Sequence, residues 1–406
     1  MKRRIFISIH YMKLGGAETA LVGLLRAIDY AKYDVDLFLY ACRGELIQFI
    51  PKEVNLLPEI PIYAQIERPL KSVLKDGYFR MVTARLKAKV KTWLYKKRKG
   101  LKESDAGAQF IADAVTPLLP PVNPDVVYDL AISFIHPHNI VRDKVRAKKK
   151  ICWIHTDYSS VDVNADMELP IWSAFDHVVS ISGEVTKAFL QTFPSLDDKI
   201  VTIENIVSSR FVRSRANEFD AYCEFGERKN TIILLSIGRF CEAKNYDNVP
   251  DICRRVISIL ISAQFPHSVK WFIIGYGPDE QLILDRIADA EMQDHVIILG
   301  KKVNPYPYIK ACDIYVQPSR YEGKSVTIQE AQILCKPVVV TNYPTVKSQI
   351  IDGVDGKIAP LDNEGCSLGL ADFIMNTDMQ KRIVENLQNQ DMGNEKEVKK
   401  LYKLMN

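Results

Sequence analysis

The sequence predicts an α/β protein built from two successive parallel-sheet domains. Three observations lead there. The chain has 406 residues, enough for two or three domains with ample core. Short apolar, β-branched runs alternate with stretches of helical period along most of it. One polar stretch without sustained apolar period, 204–230, divides two such series. Strand–helix alternation of this kind means a parallel sheet with helices on both faces.

In the first series, residues 5–9 read as a strand, and Gly15-Gly16 opens a helix through Glu18, Leu21, Leu24, Leu25 and Ile28. Further strands are expected at 35–40, 129–134, 150–154 and 177–181, with helices over 106–118 and 184–193. The stretch 204–230 reads as the linker and the entry to the second domain. Strands then follow at 231–237, 270–274, 296–299, 314–317, 337–340 and 356–358, with helices between them, for example over 246–260 and 279–291. The last forty residues read as helical.

Composition narrows the class. Hydrophobic residues make up 47% and charged residues 26%, ordinary for a globular chain. The eight cysteines are scattered without a C-x-x-C pair, which fits reduced thiols better than a disulfide framework or a zinc site. No apolar run reaches the roughly 18 residues of a membrane span. The basic and apolar N-terminus lacks a small-residue cleavage site and reads as the first strand rather than a leader. Net charge is only +4, but residues 71–100 hold eleven Lys or Arg against Asp76 alone. The remainder of the chain therefore sums to −6. Within 71–100, Tyr78, Met81, Val82, Leu86, Val90, Trp93 and Leu94 fall near one helical face. That pattern fits a helix lying on an anionic membrane surface. Nucleic-acid binding and a solvated helix with one core face are other readings of the same charge.

The motifs lie where strands end. Residues 314–340 read as strand, polar loop, helix, strand, with Pro318 ending the first strand. Ser319-Arg320-Tyr321-Glu322-Gly323 forms the loop, and Glu330 follows on the helix. In open parallel sheets, ligands bind outside the carboxyl ends of strands. Amides at a helix N-terminus suit a phosphate. Carboxylates suit sugar and ribose hydroxyls, because they accept the hydrogen bonds that hydroxyls donate. The same residues also read as a capping box, Thr327-x-x-Glu330, beside a solvated Glu322. After the strand TIILLSI, Gly238 and Arg239 are followed by Lys244. A fork and a mobile point charge on one loop suit a diphosphate. Gly275-Tyr276-Gly277 is another strand-end turn; Glu280 occupies the third glycine's place of a dinucleotide fingerprint, which argues against a nicotinamide dehydrogenase. Gly15-Gly16 lets a ligand approach backbone at a helix start. His155 follows the strand KKICWI at its carboxyl end. Asp34-Val35-Asp36 starts a strand remote from these motifs and reads as edge polarity. His136-Pro137-His138 reads as a loop turn, because two histidines without a third ligand do not make a metal site.

Glu322 and Glu330, with seven residues between them, together with Gly238-Arg239 and Lys244, resemble the E-x7-E signature of retaining glycosyltransferases, family 4 most closely. The resemblance covers most of 231–360 and the first domain more loosely. It implies two Rossmann-like domains facing a cleft, of the GT-B type. Residues 1–205 would bind the acceptor and 206–390 the nucleotide sugar, with a final helix in 391–406 returning to the first domain. It implies that Glu330 holds the ribose and Glu322 positions the donor sugar. Arg239 and Lys244 would stabilise charge on the departing diphosphate without a metal. Gly15, Gly16, Gly238, Gly275, Gly277, Ser319, Gly323, Lys324 and Ser325 would surround the donor. The W-x-H pattern resembles that around the family's active-site histidine, which implies this role for His155. Lys324 stands where relatives often carry an apolar residue. The implied activity moves a sugar from a nucleotide-diphosphate sugar, a UDP-sugar by preference, to a saccharide or lipid-linked acceptor. No further cofactor and no nucleic acid is implied. The expected place is the cytoplasm, peripheral on the inner face of the cytoplasmic membrane. A nucleotide-sugar epimerase or phosphorylase on the same fold, or a non-catalytic membrane-associated scaffold, are the alternatives.

Overall fold

The computed structural model describes residues 2–226 and 229–405. Glu227 and Arg228, within the stretch read as linker, lie outside the described residues. The chain divides into two units. One comprises Met1–Ile206 and Lys396–Asn406, the other Val207–Glu395.

The first unit holds a seven-stranded sheet: β1 (Arg3–Ile9), β2 (Tyr33–Leu39), β3 (Asn55–Leu56), β4 (Tyr128–Ser133), β5 (Ala147–Ile154), β6 (His177–Ser180) and β7 (Ile200–Thr202). Their order is β3-β2-β1-β4-β5-β6-β7, and every pairing is parallel. Ile5, Phe6, Ile7 and Ile9 of the central β1 are buried, as a strand covered on both faces requires. The Asp36 carboxylate on β2 accepts from the Tyr128 hydroxyl at 2.6 Å and from Asn55 Nδ2 at 2.7 Å. Lys2 pairs with Asp34 at 3.1 Å. The D-x-D is thus spent on tying strands together.

The second unit holds β8 (Thr231–Ile237), β9 (Ser268–Ile274), β10 (Val296–Gly300), β11 (Ile314–Gln317), β12 (Val338–Thr341) and β13 (Lys357–Ala359). Their order is β10-β9-β8-β11-β12-β13, again all parallel. One apolar cluster packs on each face of this sheet. The helix Val249–Ser262 shows why. Val249, Ile252, Cys253, Val256 and Leu260 recur at helical spacing and are buried, each worth about 1.5–3 kcal/mol for a large aliphatic side chain. Arg254 and Arg255 on the same helix pair outward with Asp251.

Both sheets reverse strand order once, between β1 and β4 and between β8 and β11. Such switch points are where parallel sheets open a crevice at the strands' carboxyl ends. The loops after β1, β4, β8 and β11 therefore matter most.

The helix Phe79–Lys99 holds most of the basic segment, and a turn at Asp76–Tyr78 separates it from Leu70–Lys75. Met81, Val82, Arg85 and Ala88 are buried, whereas Phe79, Leu86, Val90, Trp93 and Leu94 are exposed. The apolar residues thus divide between two faces instead of sharing one. The C-terminal helix Val398–Lys403 packs within the first unit. Its Tyr402 hydroxyl accepts from Asp29 N at 2.9 Å, and its ring stacks on Tyr33. Among the described residues, no helix is long and apolar enough to cross a membrane.

Candidate active site

In the second unit, the loops after β8 and β11 meet through side chains. Strand β8 ends at Ile237; Gly238 and Arg239 follow, and Lys244 closes a short turn, Glu242–Lys244. Strand β11 ends at Gln317, and Pro318 stops it. Lys244 Nζ donates to Glu322 Oε1 at 2.5 Å. The same oxygen accepts from Ser319 Oγ at 2.7 Å and from Gln317 Nε2 at 3.1 Å. Arg320 reaches back in a bidentate pair with Asp247, at 2.9 and 2.7 Å, and donates to the Glu242 carbonyl at 2.6 Å. This fork fixes the β8 loop against the β11 loop. Thr345 Oγ1 donates to the Glu322 carbonyl at 2.7 Å. Glu322 is thus held at both ends. Arg239 is exposed, and no hydrogen bond or ion pair among the described residues engages its side chain.

The helix after this loop is Val326–Ile333, with Ser325 at its N-cap and no side-chain cap. Gln349 clamps the Ser325 peptide, accepting from its amide at 3.0 Å and donating to its carbonyl at 2.6 Å. Glu330 is 3% exposed and accepts from the Tyr306 hydroxyl at 2.8 Å. Burial pushes its carboxyl up to about 7, against the pull of that hydrogen bond. Glu330 makes no capping box; its carboxylate is turned to Tyr306 instead.

Gly275 and Gly277 serve close packing of backbones. A Cβ on Gly275 would overlap the Gly238 carbonyl oxygen, and one on Gly277 the Phe240 carbonyl oxygen. Gly238 N donates to Ile274 O at 3.0 Å, and Phe240 N to Tyr276 O at 2.9 Å, which stitches the same two loops.

In the first unit, Gly15 is extended and Gly16 begins the helix Gly16–Ala27, which no side chain caps. A Cβ on Gly16 would meet nothing within 4 Å. His155 follows β5, and its Nε2 is buried without a partner. Burial pushes this imidazole down to about 3. His138 is buried, with Nδ1 2.8 Å from Ser133 Oγ. His136 lies 3.5 Å from the Glu168 carboxylate. No motif marks Glu168, Tyr306 or Gln349 as partners, since Tyr306 and Gln349 lie 24 residues from Glu330 and Ser325, and Glu168 lies farther still from His136.

These two units carry the pair of parallel-sheet domains of the GT-B class. Solved structures share the fold: Anabaena Alr3699/HepE in complex with UDP and glucose superposes with a TM-score of 0.67 at 15% identity, covering 98% of each chain. Residues 223–390, within the second unit, match the family described as Glycosyl transferases group 1. Among curated relatives, the chain is 29% identical to the amylovoran biosynthesis glycosyltransferase AmsK of Erwinia amylovora, over 35% of each chain. It is 26% identical to the N-acetylgalactosamine-N,N'-diacetylbacillosaminyl-diphospho-undecaprenol 4-alpha-N-acetylgalactosaminyltransferase of Campylobacter jejuni, over 32% of this chain and 34% of that protein. The chain thus spans about a third of the length of these two relatives.

Proposed function

We propose that the protein is a retaining glycosyltransferase of the family 4 type. It moves a sugar from a nucleotide-diphosphate sugar, a UDP-sugar by preference, to a saccharide or lipid-linked acceptor in cell-surface polysaccharide biosynthesis. The observation that carries this reading is the meeting of Lys244, Glu322 and Ser319 at the β8/β11 switch point. Lys244 on the β8 loop meets a carboxylate on the β11 loop, Arg239 stands exposed on that same β8 loop, and a second carboxylate, Glu330, lies one helix turn beyond the uncapped N-terminus.

The donor binds the second unit and the acceptor the first. Glu330 takes the ribose hydroxyls and Glu322 those of the donor sugar. Arg239 and Lys244 balance the charge that develops on the leaving diphosphate, which is electrostatic catalysis by fixed cations with no required metal. Gly238, Gly275 and Gly277 bring backbone close, Ser319, Gly323, Lys324 and Ser325 line the phosphates, and Gly15, Gly16 and His155 serve from the first unit. The Campylobacter relative's name, with its diphospho-undecaprenol acceptor, supports the lipid-linked class. The Anabaena complex with UDP and glucose supports the donor class. The protein works in the cytoplasm at the inner membrane face, held there by the basic helix Phe79–Lys99.

The test is thermal stabilisation by UDP, GDP, ADP, CMP and NAD without added metal. A ligand at 100 times its Kd should add about 2.7 kcal/mol. UDP should stabilise the wild type and leave Glu330→Ala and Arg239→Ala unmoved. If no nucleoside diphosphate acts, the reading fails. Product NMR then decides retention, through the anomeric configuration of the new bond.

A further inference from the structure

Strand β11 ends on a buried amide to which the proposed function gives no part. Gln317 is fully buried and follows Ile314, Tyr315 and Val316. An apolar residue would suit that place better, because a buried amide costs free energy unless its donors and its acceptor are bonded. This one is bonded at both ends. Its Nε2 donates to Ser319 Oγ at 2.8 Å and to Glu322 Oε1 at 3.1 Å. Its Oε1 accepts from the Tyr315 hydroxyl at 2.6 Å. Tyr315 lies two residues back, on the same face of the strand, and is buried as well. The neighbours also fix which way the amide points. Turned over, its oxygen would face the Glu322 carboxylate, two acceptors with no proton between them.

The carboxylate it meets is held unequally. Ser319 Oγ, Gln317 Nε2 and Lys244 Nζ all donate to Glu322 Oε1. Among the described residues, no hydrogen bond reaches Oε2. A carboxylate oxygen carries two lone pairs, so Oε2 can accept from two hydroxyls. The last torsion of a glutamate is soft, with broad preferences. Bonds to Oε1 are therefore what decides where Oε2 points.

We propose that Gln317 positions Glu322 so that Oε2 alone reads the donor sugar, and that the sugar offers this oxygen two adjacent hydroxyls. This rests on the glycosyltransferase reading and narrows its donor to a hexose with two neighbouring hydroxyls unsubstituted. Hydroxyls on neighbouring ring carbons stand close enough together to share one acceptor oxygen. When Lys244 turns to the diphosphate, Gln317 and Ser319 keep Oε1, and Oε2 stays on the sugar. Tyr315 acts one step further back, by holding the amide. The titratable groups near Glu322 are Lys244, Tyr246, Tyr315 and Tyr343, with Glu330 beyond Tyr315. Burial pushes all three phenols up, so none of them adds a charge at neutral pH.

The experiment measures Kd by calorimetry on the full chain. The ligands are UDP, UDP-glucose, UDP-galactose, UDP-N-acetylglucosamine, UDP-N-acetylgalactosamine, and the deoxy analogues of whichever sugar binds most tightly. In the wild type, removing either of two neighbouring hydroxyls should weaken binding about 10–10²-fold, as expected for a hydrogen bond to a charged group. Gln317→Leu should shrink that penalty about tenfold and leave the Kd of UDP itself unchanged. Tyr315→Phe removes one distant hydroxyl and should shrink it about threefold. It carries the test if Gln317→Leu does not fold, which the melting temperature reports. Gln317→Glu keeps the shape and sets a second carboxyl against Oε1. Two carboxyls so placed do not both ionise readily. The hydroxyl penalty should then stand near its wild-type value at low pH, where a proton bridges the pair, and fall as pH rises. The wild type should show no such fall. The penalty is a ratio between two UDP-sugars, so titration of Glu330 at the ribose cancels from it. A purely structural Gln317 would move the melting temperature and not this ratio. A wild type that binds UDP but none of the four sugars, or that treats the deoxy analogues like the parent, overturns the inference alone. So do sensitive hydroxyls that are not neighbours, and folded variants that discriminate as the wild type does. A wild type that binds neither UDP nor any of the four sugars overturns the UDP-sugar reading, and the inference with it.

Discussion

Lys244 and Glu322 come from loops 78 residues apart and share one hydrogen bond, Nζ to Oε1 at 2.5 Å. Their side chains are 17% and 12% exposed. In the proposed reaction, Lys244 serves a phosphate and Glu322 a sugar. In the free protein each neutralises the other, so neither is left as an unpaired, mostly buried charge. Lys244→Met and Glu322→Gln should each cost about 1–3 kcal/mol in urea unfolding. The double variant should cost less than the sum, with a coupling of about 1–3 kcal/mol. Additive losses would show that the pair does not form in solution. Each single variant should also lower transfer by about 10²–10³-fold.

Glu330 gives a pH dependence. Its folded pKa is raised to about 7 by burial, above the ordinary carboxylate value of roughly 4.3. An acid raised in this way holds its proton more tightly in the folded state. Its contribution is present below pH 4 and is lost as pH rises through 7, about 4 kcal/mol in all. Glu330→Gln should remove that slope, seen as urea midpoints between pH 4.5 and 8. Ribose hydroxyls need the ionised carboxylate as acceptor. UDP should therefore bind with release of a proton near pH 6, measurable by calorimetry in buffers of different ionisation enthalpy. Binding without proton exchange would place the ribose elsewhere.

The glycines separate structure from recognition. Gly275→Ala drives a Cβ into the Gly238 carbonyl and should cost about 1–3 kcal/mol or more. Gly16→Ala has open space and should leave stability within about 0.5 kcal/mol. If Gly16 lies against a bound ligand, this alanine should still weaken transfer, read as a rise in KM at unchanged melting temperature.

Much of the fold was legible because buried parallel strands are short β-branched runs closed by Pro, Gly or polar residues. Pro318 after Gln317 is one such boundary. The loops at both switch points could be read for the same reason. Side-chain partnerships were not legible. Thr327-x-x-Glu330 has capping-box spacing, yet the helix starts at Val326 and Glu330 turns to Tyr306. His136-Pro137-His138 reads as a turn because its partner, Glu168, lies in another element 32 residues away. Periodicity also cannot separate two apolar faces of one helix when both carry large residues. In Phe79–Lys99, Met81 and Ala88 point to the core and Leu86 and Val90 away from it.

That second face leads to the last prediction. Phe79 and Trp93 are 64% and 58% exposed, and Leu86, Val90 and Leu94 lie along the same stripe. Lys87 and Lys91 border it on one side and Lys89 and Lys96 on the other, by helical angle. An apolar stripe between cations matches the acyl boundary and headgroups of an anionic bilayer, each cation adding about 1 kcal/mol. The protein should sediment with phosphatidylglycerol vesicles and not with phosphatidylcholine vesicles, and Trp93 emission should shift to the blue on binding. Rising salt should release it, because the charge term is screened over about 10 Å at 0.1 M. Val90→Glu with Trp93→Glu should weaken vesicle binding at least tenfold while the melting temperature holds, since neither side chain is in the core. Lys87→Glu with Lys91→Glu should weaken it and flatten the salt dependence. Equal binding to neutral vesicles, or none to either, would leave this stripe without a membrane role.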